Sequence, residues 1–558
     1  MGDMTGSAPK RKPDIFLWLG PALALTAFAA LYLKAGFIYV INDDWGLYDL
    51  LSGAYLGYPD PHVSFMECPV SLLISGLYSL FPALSWYGIF LEICLLVTAV
   101  LLCRRNPVMF PVWLSMAAAV IMRPQYTTVS GMLMAAAVFL LLKKDRRPSE
   151  TVSAVALVTM GEWIRPEMLF LFGAFIVPLC LLKCFLPDGG KDRDRRAGFM
   201  RLFVPGLAMG VCVLISLGLS FLFYDTDEWR DFRKIDRMRV AMADYYGFPD
   251  YDSHSDEFSA SGISRDDVAL ISSGIMYAGR NLSVDQWRAM RDAAREDSYG
   301  RDPLSSRLMR LPSEFSKLFT DRSVRPYTLA AILVSIIALI SGTGRDAAFS
   351  LVSFAVPYLI LGIRGRVLDR VQTPLLSMYV CAVAASVFFG DFREKSRRFK
   401  VVSCVFAVVM LLPSFMSYAQ IRSVREDTAS KLEIWRGIRD HCSADPGKLY
   451  LLTPGSQTLY YFQDRVLETG VAAKENFLYL GSGHMMNPNT TEKLDELGIS
   501  DVIADSISPG NDIYYLFEKG CCDPESVLFR TAGAVPVLKD TFEAGGHTFE
   551  EYVAEGTG

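Results

Sequence analysis

The chain has 558 residues, a net charge of −5 and 51% hydrophobic residues, with a mean hydropathy of +0.27. This composition argues against an ordinary soluble enzyme, because the apolar residues are concentrated in runs of about 16–22, the length that crosses a bilayer. It also argues against a nucleic-acid-binding protein, because the net charge is slightly negative and the sequence has no basic tract with interleaved aromatic residues.

The N-terminus predicts a signal-anchor helix rather than a cleaved signal peptide. The basic stretch "PKRKP" precedes an apolar run of about 19 residues, which is long for a signal peptide. We therefore expect residues 1–14 to be cytoplasmic and the first membrane helix to begin at residue 15.

Apolar segments continue to residue 418 and predict a mostly α-helical, multi-pass protein of the cell membrane with about 11 spans. The predicted spans are 15–34, 87–103, 107–122, 125–142, 151–164, 167–182, 202–223, 326–341, 347–363, 371–390 and 399–418. If a further apolar segment, residues 66–81, also crossed the membrane, every later loop would lie on the opposite side. We interpret it as an interfacial or re-entrant helix.

Positive charge sets the orientation of these spans, because cytoplasmic loops are rich in Lys and Arg. Basic stretches are predicted to be cytoplasmic at 104–105, 143–147, 183–201 and 393–400. The chain then divides into a transmembrane module (15–223) with a first outer loop (36–86), a large extracytoplasmic loop (224–325), further transmembrane helices (326–420) and a soluble extracytoplasmic α/β domain (421–558). Two amphipathic helices, with Ser264 and Ser283 as N-caps, are expected in the large loop.

The C-terminal domain is predicted from alternating strand and helix patterns. The expected strands are 448–454, 500–507 and 512–519, and the expected helices are 429–442 and 490–499. The domain carries no recognisable catalytic motif, and we expect it to cover the outer site or to help hold an acceptor glycan.

Under this topology most of the ionisable groups near the membrane fall on the outer side. Asp43 and Asp44 follow the first span, and the other groups lie at the turns between later spans. These are Arg123 with Gln125, Glu162 with Arg165 and Glu167, and Arg364, Arg366, Asp369 and Arg370. Charged groups are costly at membrane depth, so their convergence predicts a functional site, although salt-bridged helix ends would give the same pattern.

Acids on one loop and arginines on the others suit the transfer of a group from a membrane-bound phosphate carrier to a hydroxyl. Arginine presents a planar fork of donors that matches phosphate oxygens. A carboxylate can take a proton from the attacking hydroxyl. It can equally hold a divalent metal such as Mg²⁺ or Mn²⁺, and the sequence leaves this choice between base and ligand open for Asp43 and Asp44.

The acidic pair, followed by "LLSGAYLGYPDPH" and "LYSLFPALSWYGIFL", resembles bacterial polytopic glycosyltransferases of the GT-C superfamily. The resemblance covers residues 15–425 and implies an inverting transfer from a polyprenyl-phosphate-linked sugar donor to a cell-envelope polysaccharide or a lipid-linked glycan. Asp43 or Asp44 matches the family's loop acid, although Asp-Glu is the commoner pair. Membrane lipids, the donor and a glycan acceptor are the implied partners, and nucleic acid is not.

The resemblance also assigns residues to the substrate site. Arg366 and Arg370 match the basic residues that bind the donor phosphate. Wall-lining positions are matched by Arg123, Gln125, Arg165 and Glu167. His62, in "PDPH", could touch the donor phosphate, but a loop histidine is more often simply solvated.

Two other functions remain possible from the sequence. A transporter or flippase for a lipid-linked glycan would also need outer arginines, but it should carry polar residues in the inner half of its helices and weak repeats between its halves. A membrane sensor or scaffold would account for the outer domain but would leave the acids and arginines without a role.

Overall fold

The computed structural model describes residues 15–557 apart from 36, 40–41, 105, 144, 186–191, 302–303, 390–391, 393–394, 454–465, 468–473, 482, 509 and 511. The predicted cytoplasmic N-terminus, residues 1–14, lies outside the described residues. Part of each predicted basic stretch, including Arg105, lies outside them as well.

The first part of the chain is helical and runs back and forth along one bundle. Its helices are α1 (Ile15–Ala35), α2 (Asn42–Ser52), α3 (Cys68–Leu80), α4 (Trp86–Cys103), α5 (Met109–Met122), α6 (Tyr126–Leu142), α7 (Pro148–Ile164), α8 (Glu167–Phe185) and α9 (Asp192–Phe223). Helix α3 has 13 residues, fewer than the roughly 20 that a crossing needs. Helix α5, a predicted span, has only 14 residues, so the interfacial interpretation of residues 66–81 remains a prediction.

The segment that follows α9 is also largely helical. Its helices are α10 (Asp227–Ala241), α11 (Ser255–Ala260), α12 (Arg265–Ser272), α13 (Val284–Arg301) and α14 (Leu304–Thr320). The predicted cap of α12 is confirmed, since the Ser264 hydroxyl accepts a hydrogen bond from the Asp267 amide. Ser283 accepts one from the Gln286 amide at the start of α13. Both caps satisfy amide groups that have no partner within their own helix.

The bundle is completed by α15 (Arg325–Ile340), α16 (Gly344–Ile363), α17 (Asp369–Val387), α18 (Arg397–Val409) and α19 (Leu411–Ser423). Helices therefore cover all the predicted spans. In the described residues six helices are long and apolar enough to cross a membrane, or seven if the sharply bent pair α14–α15 is one span. The chain is thus a multi-pass membrane protein, and the count of about 11 spans remains a prediction.

Helices α6 and α17 lie at the centre of the bundle, and nearly all their side chains are buried. The two helices approach closely at Gly131 and Pro374. A Cβ atom added to Gly131 would lie 2.3 Å from Cβ of Pro374, so only glycine fits at this position. This contact fixes the beginning of α6 beside the beginning of α17.

The C-terminal part consists of helices packed around one small mixed sheet. The helices are α20 (Arg425–Ala444), α21 (Pro488–Glu496), α22 (Val502–Asp505) and α23 (Val527–Ala532), and the strands are β1 (Leu449–Leu452), β2 (Phe477–Tyr479), β3 (Ile513–Glu518), β4 (Ala534–Ala544) and β5 (His547–Gly556). The strand order is β2-β1-β3-β5-β4. Strand β1 is parallel to β2 and β3, whereas β5 is antiparallel to β3 and β4.

One predicted strand of this domain is wrong. Residues 500–507 contain the short helix α22 instead, because the Asp501 side chain accepts hydrogen bonds from the amides of Ile503 and Ala504. Val502 and Ile503 are both buried. A short apolar run of this kind is compatible with a strand or a helix, and here the capping aspartate decides.

The C-terminal part packs against the first loop. Trp45 of α2 meets the ring of Trp435 edge-on at 5.5 Å and stacks on Phe477 at 6.2 Å. The Tyr55 hydroxyl lies 2.8 Å from the Thr490 hydroxyl. The same sheet also shares a hydrophobic core with α10, α12 and α13. The segment after α9 and the C-terminal sheet thus form one layer over the first loop.

Replacement of Gly131 by Ala tests the contact between α6 and α17. The added methyl would clash with Pro374, so we expect Gly131→Ala to destabilise the protein by about 1–3 kcal/mol, measured as a lower Tm in detergent. Gly76→Ala is the matched control, since a Cβ there meets no atom within 4 Å. An equal Tm for the two variants would contradict the close-approach argument.

Candidate active site

Helix α2 begins next to the end of α1 and carries both predicted catalytic acids, Asp43 and Asp44, in its first turn. Between the two helices, the Ile38 amide donates to the Met122 carbonyl at 3.3 Å. Acidic side chains at a helix N-terminus are stabilised by the exposed amide groups of the first turn. The acids are therefore held beside the C-terminal end of α5.

Asp44 is fully buried. Its Oδ1 accepts a hydrogen bond from the Tyr87 hydroxyl at 2.7 Å and another from the Tyr126 amide at 3.0 Å. Its Oδ2 is buried without a hydrogen-bond partner among the described residues. This carboxyl therefore joins α2 to the beginnings of α4 and α6.

Burial raises the pKa of Asp44 to about 8, against the opposing effect of the hydrogen bonds from Tyr87 and Tyr126. The charge of Asp43 raises it further. At neutral pH Asp44 is thus mostly protonated, and a neutral carboxylic acid is a poor proton acceptor.

Asp43 has a different environment, and its side chain is 35% exposed. Its Oδ2 lies 3.5 Å from Nη1 of Arg370, at the beginning of α17, and accepts a hydrogen bond from the Tyr126 hydroxyl at 3.4 Å. Asp43 is therefore the member of the pair that a substrate can reach.

Arg165 and Glu167 extend this group on the other side of Tyr126. Nη1 of Arg165 donates to the Tyr126 hydroxyl at 3.1 Å, and its Nε lies 2.9 Å from Oε2 of Glu167. The guanidinium also lies over the ring of Phe65, 5.0 Å from its centroid. The structure thus brings four predicted residues together in one charged cluster, which consists of Asp43, Arg165, Glu167 and Arg370.

Two other predicted residues, His62 and Arg366, make contacts outside the charged cluster. The His62 ring stacks on Phe223 at 4.3 Å, and its Nδ1 lies 2.7 Å from Asp60. Nη2 of Arg366 donates to Asp244 at 2.6 Å. These contacts connect the first loop and the turn before α17 to the segment around α10.

The remaining two predicted residues, Arg123 and Gln125, flank the turn between α5 and α6. The Gln125 side chain is buried, and its Nε2 has no hydrogen-bond partner among the described residues. Arg123 does not join the charged cluster and instead lines a separate cavity with residues of α1, α19 and α20.

Sequence reasoning missed the residues that connect the cluster. Tyr126 contacts Asp43, Asp44 and Arg165, and it directly follows the predicted Gln125. Phe65 has a φ of 74°, a conformation that is unfavourable for a bulky residue, and it places its ring over Arg165. An uncharged tyrosine at a turn gives little signal in a search for ionisable groups.

The acidic pair does not suit a divalent metal. The described residues contain no group of three or more His, Cys, Asp or Glu side chains arranged to hold a metal ion. Asp44 is buried and uses Oδ1 for two hydrogen bonds, and a guanidinium already lies beside Asp43. A cation at this position would be repelled by Arg370.

The fold and the cluster define a multi-pass membrane protein with an ion-paired polar centre at one end of its helical bundle. No family model and no curated protein matches the chain. Among solved structures, the chain is similar to ArnT from Cupriavidus metallidurans in a crystal structure bound to undecaprenyl phosphate. The identity is 11%, the alignment covers 95% of this chain and 97% of ArnT, and the TM-score is 0.32.

The raised pKa of Asp44 predicts a pH-dependent stability. Between pH 4 and pH 8 the folded protein keeps a proton that the unfolded chain releases, so this contribution to stability falls as pH rises and becomes constant above about 8. As pH rises through this range, we expect the Tm of the wild type to decrease relative to the Tm of Asp44→Asn. Thermal unfolding of both proteins from pH 5 to pH 9 measures the difference.

The asparagine is a suitable comparison because its Oδ1 can accept the same two hydrogen bonds and its amide cannot ionise. A constant difference in Tm between the two proteins over the whole range would show that Asp44 does not titrate as expected.

Proposed function

We propose that the chain is an inverting glycosyltransferase of the GT-C type. It would move a sugar from a polyprenyl-phosphate-linked donor to a hydroxyl of a cell-envelope polysaccharide or a lipid-linked glycan. The observation that carries the proposal is the position of Asp43, an accessible carboxyl held between Arg370 and the Tyr126–Arg165 pair.

The two acids take different roles in this proposal. Asp43 is the base, because it is exposed and lies among groups that a substrate can contact. Asp44 is a positioning residue that holds the first turn of α2 against Tyr87 and Tyr126. Its raised pKa leaves it mostly uncharged at neutral pH, so it adds little repulsion to an incoming phosphate.

The arginines of the cluster are suited to stabilising the phosphate leaving group. As the acceptor oxygen bonds to the anomeric carbon, its proton passes to Asp43. The bond from that carbon to the phosphate oxygen breaks, and its electron pair stays with the phosphate. Arg370 and Arg165 can stabilise the charge that develops on the phosphate, as positioned cations do for other leaving groups.

The proposed orientation places this cluster outside the cytoplasm. The ends of α1, α5 and α7 meet the beginnings of α6, α8 and α17 around it. The basic residues Arg104, Lys143 and Lys183 belong to the opposite ends of their helices. The positive-inside rule therefore supports an outward-facing site and an extracytoplasmic C-terminal domain.

Substitution of each acid tests the assignment of roles. We expect Asp43→Asn to lower sugar transfer by at least about 100-fold, because the base is lost. Asp44→Asn should keep transfer within about tenfold, because its hydrogen bonds can be retained. The measurement is transfer by reconstituted protein from a panel of polyprenyl-phosphate sugars, with protein levels matched.

Full activity of Asp43→Asn, or equal losses in both variants, would contradict this division. The same assay separates the transferase from a flippase, because only a transferase releases polyprenyl phosphate from the donor.

Substitution of Arg370 tests the phosphate role. We expect Arg370→Ala to lower kcat/KM for the donor by about 10–100-fold, the range for loss of a charged hydrogen-bond donor, and to change the apparent KM of the acceptor little. Arg364→Ala is the matched control, since Arg364 lies before the same turn and is exposed. An unchanged donor dependence in Arg370→Ala would remove this residue from the donor site.

A further inference from the structure

A second polar site lies outside the charged cluster. It is a cavity of about 730 Å³ between the ends of α1, α5 and α19 and the beginning of α20. Its described lining includes Lys34, Arg123, Arg422 and Arg425, and it includes no Asp or Glu. Four cationic side chains therefore face one cavity, contributed by four different helix ends.

Among the described residues that line the cavity, none is an acidic counter-ion for these cations. Among the described residues, no hydrogen bond or ion pair engages the side chains of Lys34, Arg422 or Arg425, and the Nε atom of Arg123 is buried without a partner. Asp369 and Asp427 attract the Arg123 guanidinium but do not line the cavity. Clustered cations repel one another, so an anion in the cavity would relieve this repulsion.

The rest of the lining is apolar, and its position fits the boundary of a bilayer. Phe37, Met122 and Leu432 are buried in the wall. Helix α1 and the α18–α19 segment are both long and apolar enough to cross a membrane. Leu33 of α1 is 80% exposed and Phe415 of α19 is 66% exposed. An apolar chain bound here could therefore continue along these helices into the membrane.

We propose that this cavity binds the phosphate of an anionic lipid, with the headgroup among Lys34, Arg123, Arg422 and Arg425 and the chain against α1 and α19. Arginine forks match phosphate oxygens, and basic residues at the membrane boundary attract anionic headgroups. The apolar walls distinguish this ligand from a soluble phosphate. The phosphate belongs either to a bilayer phospholipid or to a polyprenyl carrier, since both present the same chemistry.

The cavity is separate from the proposed catalytic cluster. Arg123 and Tyr126 lie on either side of the same turn, yet Tyr126 contacts Asp43 and Arg165, whereas Arg123 lines the cavity with Arg422 and Arg425. The protein therefore has two basic sites at one end of its bundle.

Binding by the full-length protein in neutral detergent tests the proposal without any transfer step. The ligands are a polyprenyl phosphate, the polyprenol of equal length, phosphatidylglycerol and inorganic phosphate, and native mass spectrometry counts the complexes. The test variant is Arg422→Gln/Arg425→Gln, whose side chains are exposed. The control is Arg397→Gln/Arg398→Gln, which removes the same charge from the exposed beginning of α18.

We expect the test variant to bind at least one of the two anionic lipids about tenfold more weakly than the wild type, while the control variant binds as the wild type does. Selective loss of phosphatidylglycerol identifies a bilayer phospholipid, and selective loss of the polyprenyl phosphate identifies a carrier lipid. Unchanged lipid affinity in the test variant, an equal loss in the control, or inorganic phosphate binding as tightly as the lipids would each overturn the proposal. All these outcomes are independent of whether the protein transfers sugar.

Discussion

The buried carboxyl of Asp44 is the contact on which the arrangement of the site depends. It accepts hydrogen bonds from the beginnings of α4 and α6 and so holds the first turn of α2 between them. Burying a polar group is costly unless it is hydrogen-bonded, and burial raises the pKa of this carboxyl and so favours its neutral form. The adjacent residue, Asp43, consequently projects towards Tyr126 and Arg370 instead of into solvent.

The rest of the architecture supports this turn from both sides. Within the bundle, Gly131 allows α6 and α17 to touch, which brings Tyr126 and Arg370 to the same place. On the other side, Trp45 packs into the C-terminal sheet. The first loop is therefore enclosed between a helical bundle and a sheet-containing layer. Such enclosure is how a protein holds charged groups in a fixed geometry near a membrane.

The two basic sites give the same end of the bundle two different electrostatic environments. In the cluster each arginine already has an acidic partner, so a ligand must compete with Asp43 or Glu167. The described lining of the cavity includes four cationic side chains and no Asp or Glu, so a ligand there would meet a net positive charge.

The sequence by itself determined the helical segments and the caps at Ser264 and Ser283, and it grouped Asp43, Arg165, Glu167 and Arg370 in one candidate set. These follow from local hydropathy, capping chemistry and charge placement, which are readable along the chain. Only the tertiary structure decided that Asp44 is buried while Asp43 is accessible, that Tyr126 connects the cluster, and that Arg123 faces another cavity. Adjacent residues on a helix point in different directions, so burial and partners depend on which helices pack against each face. That packing is set by distant contacts such as Gly131 with Pro374.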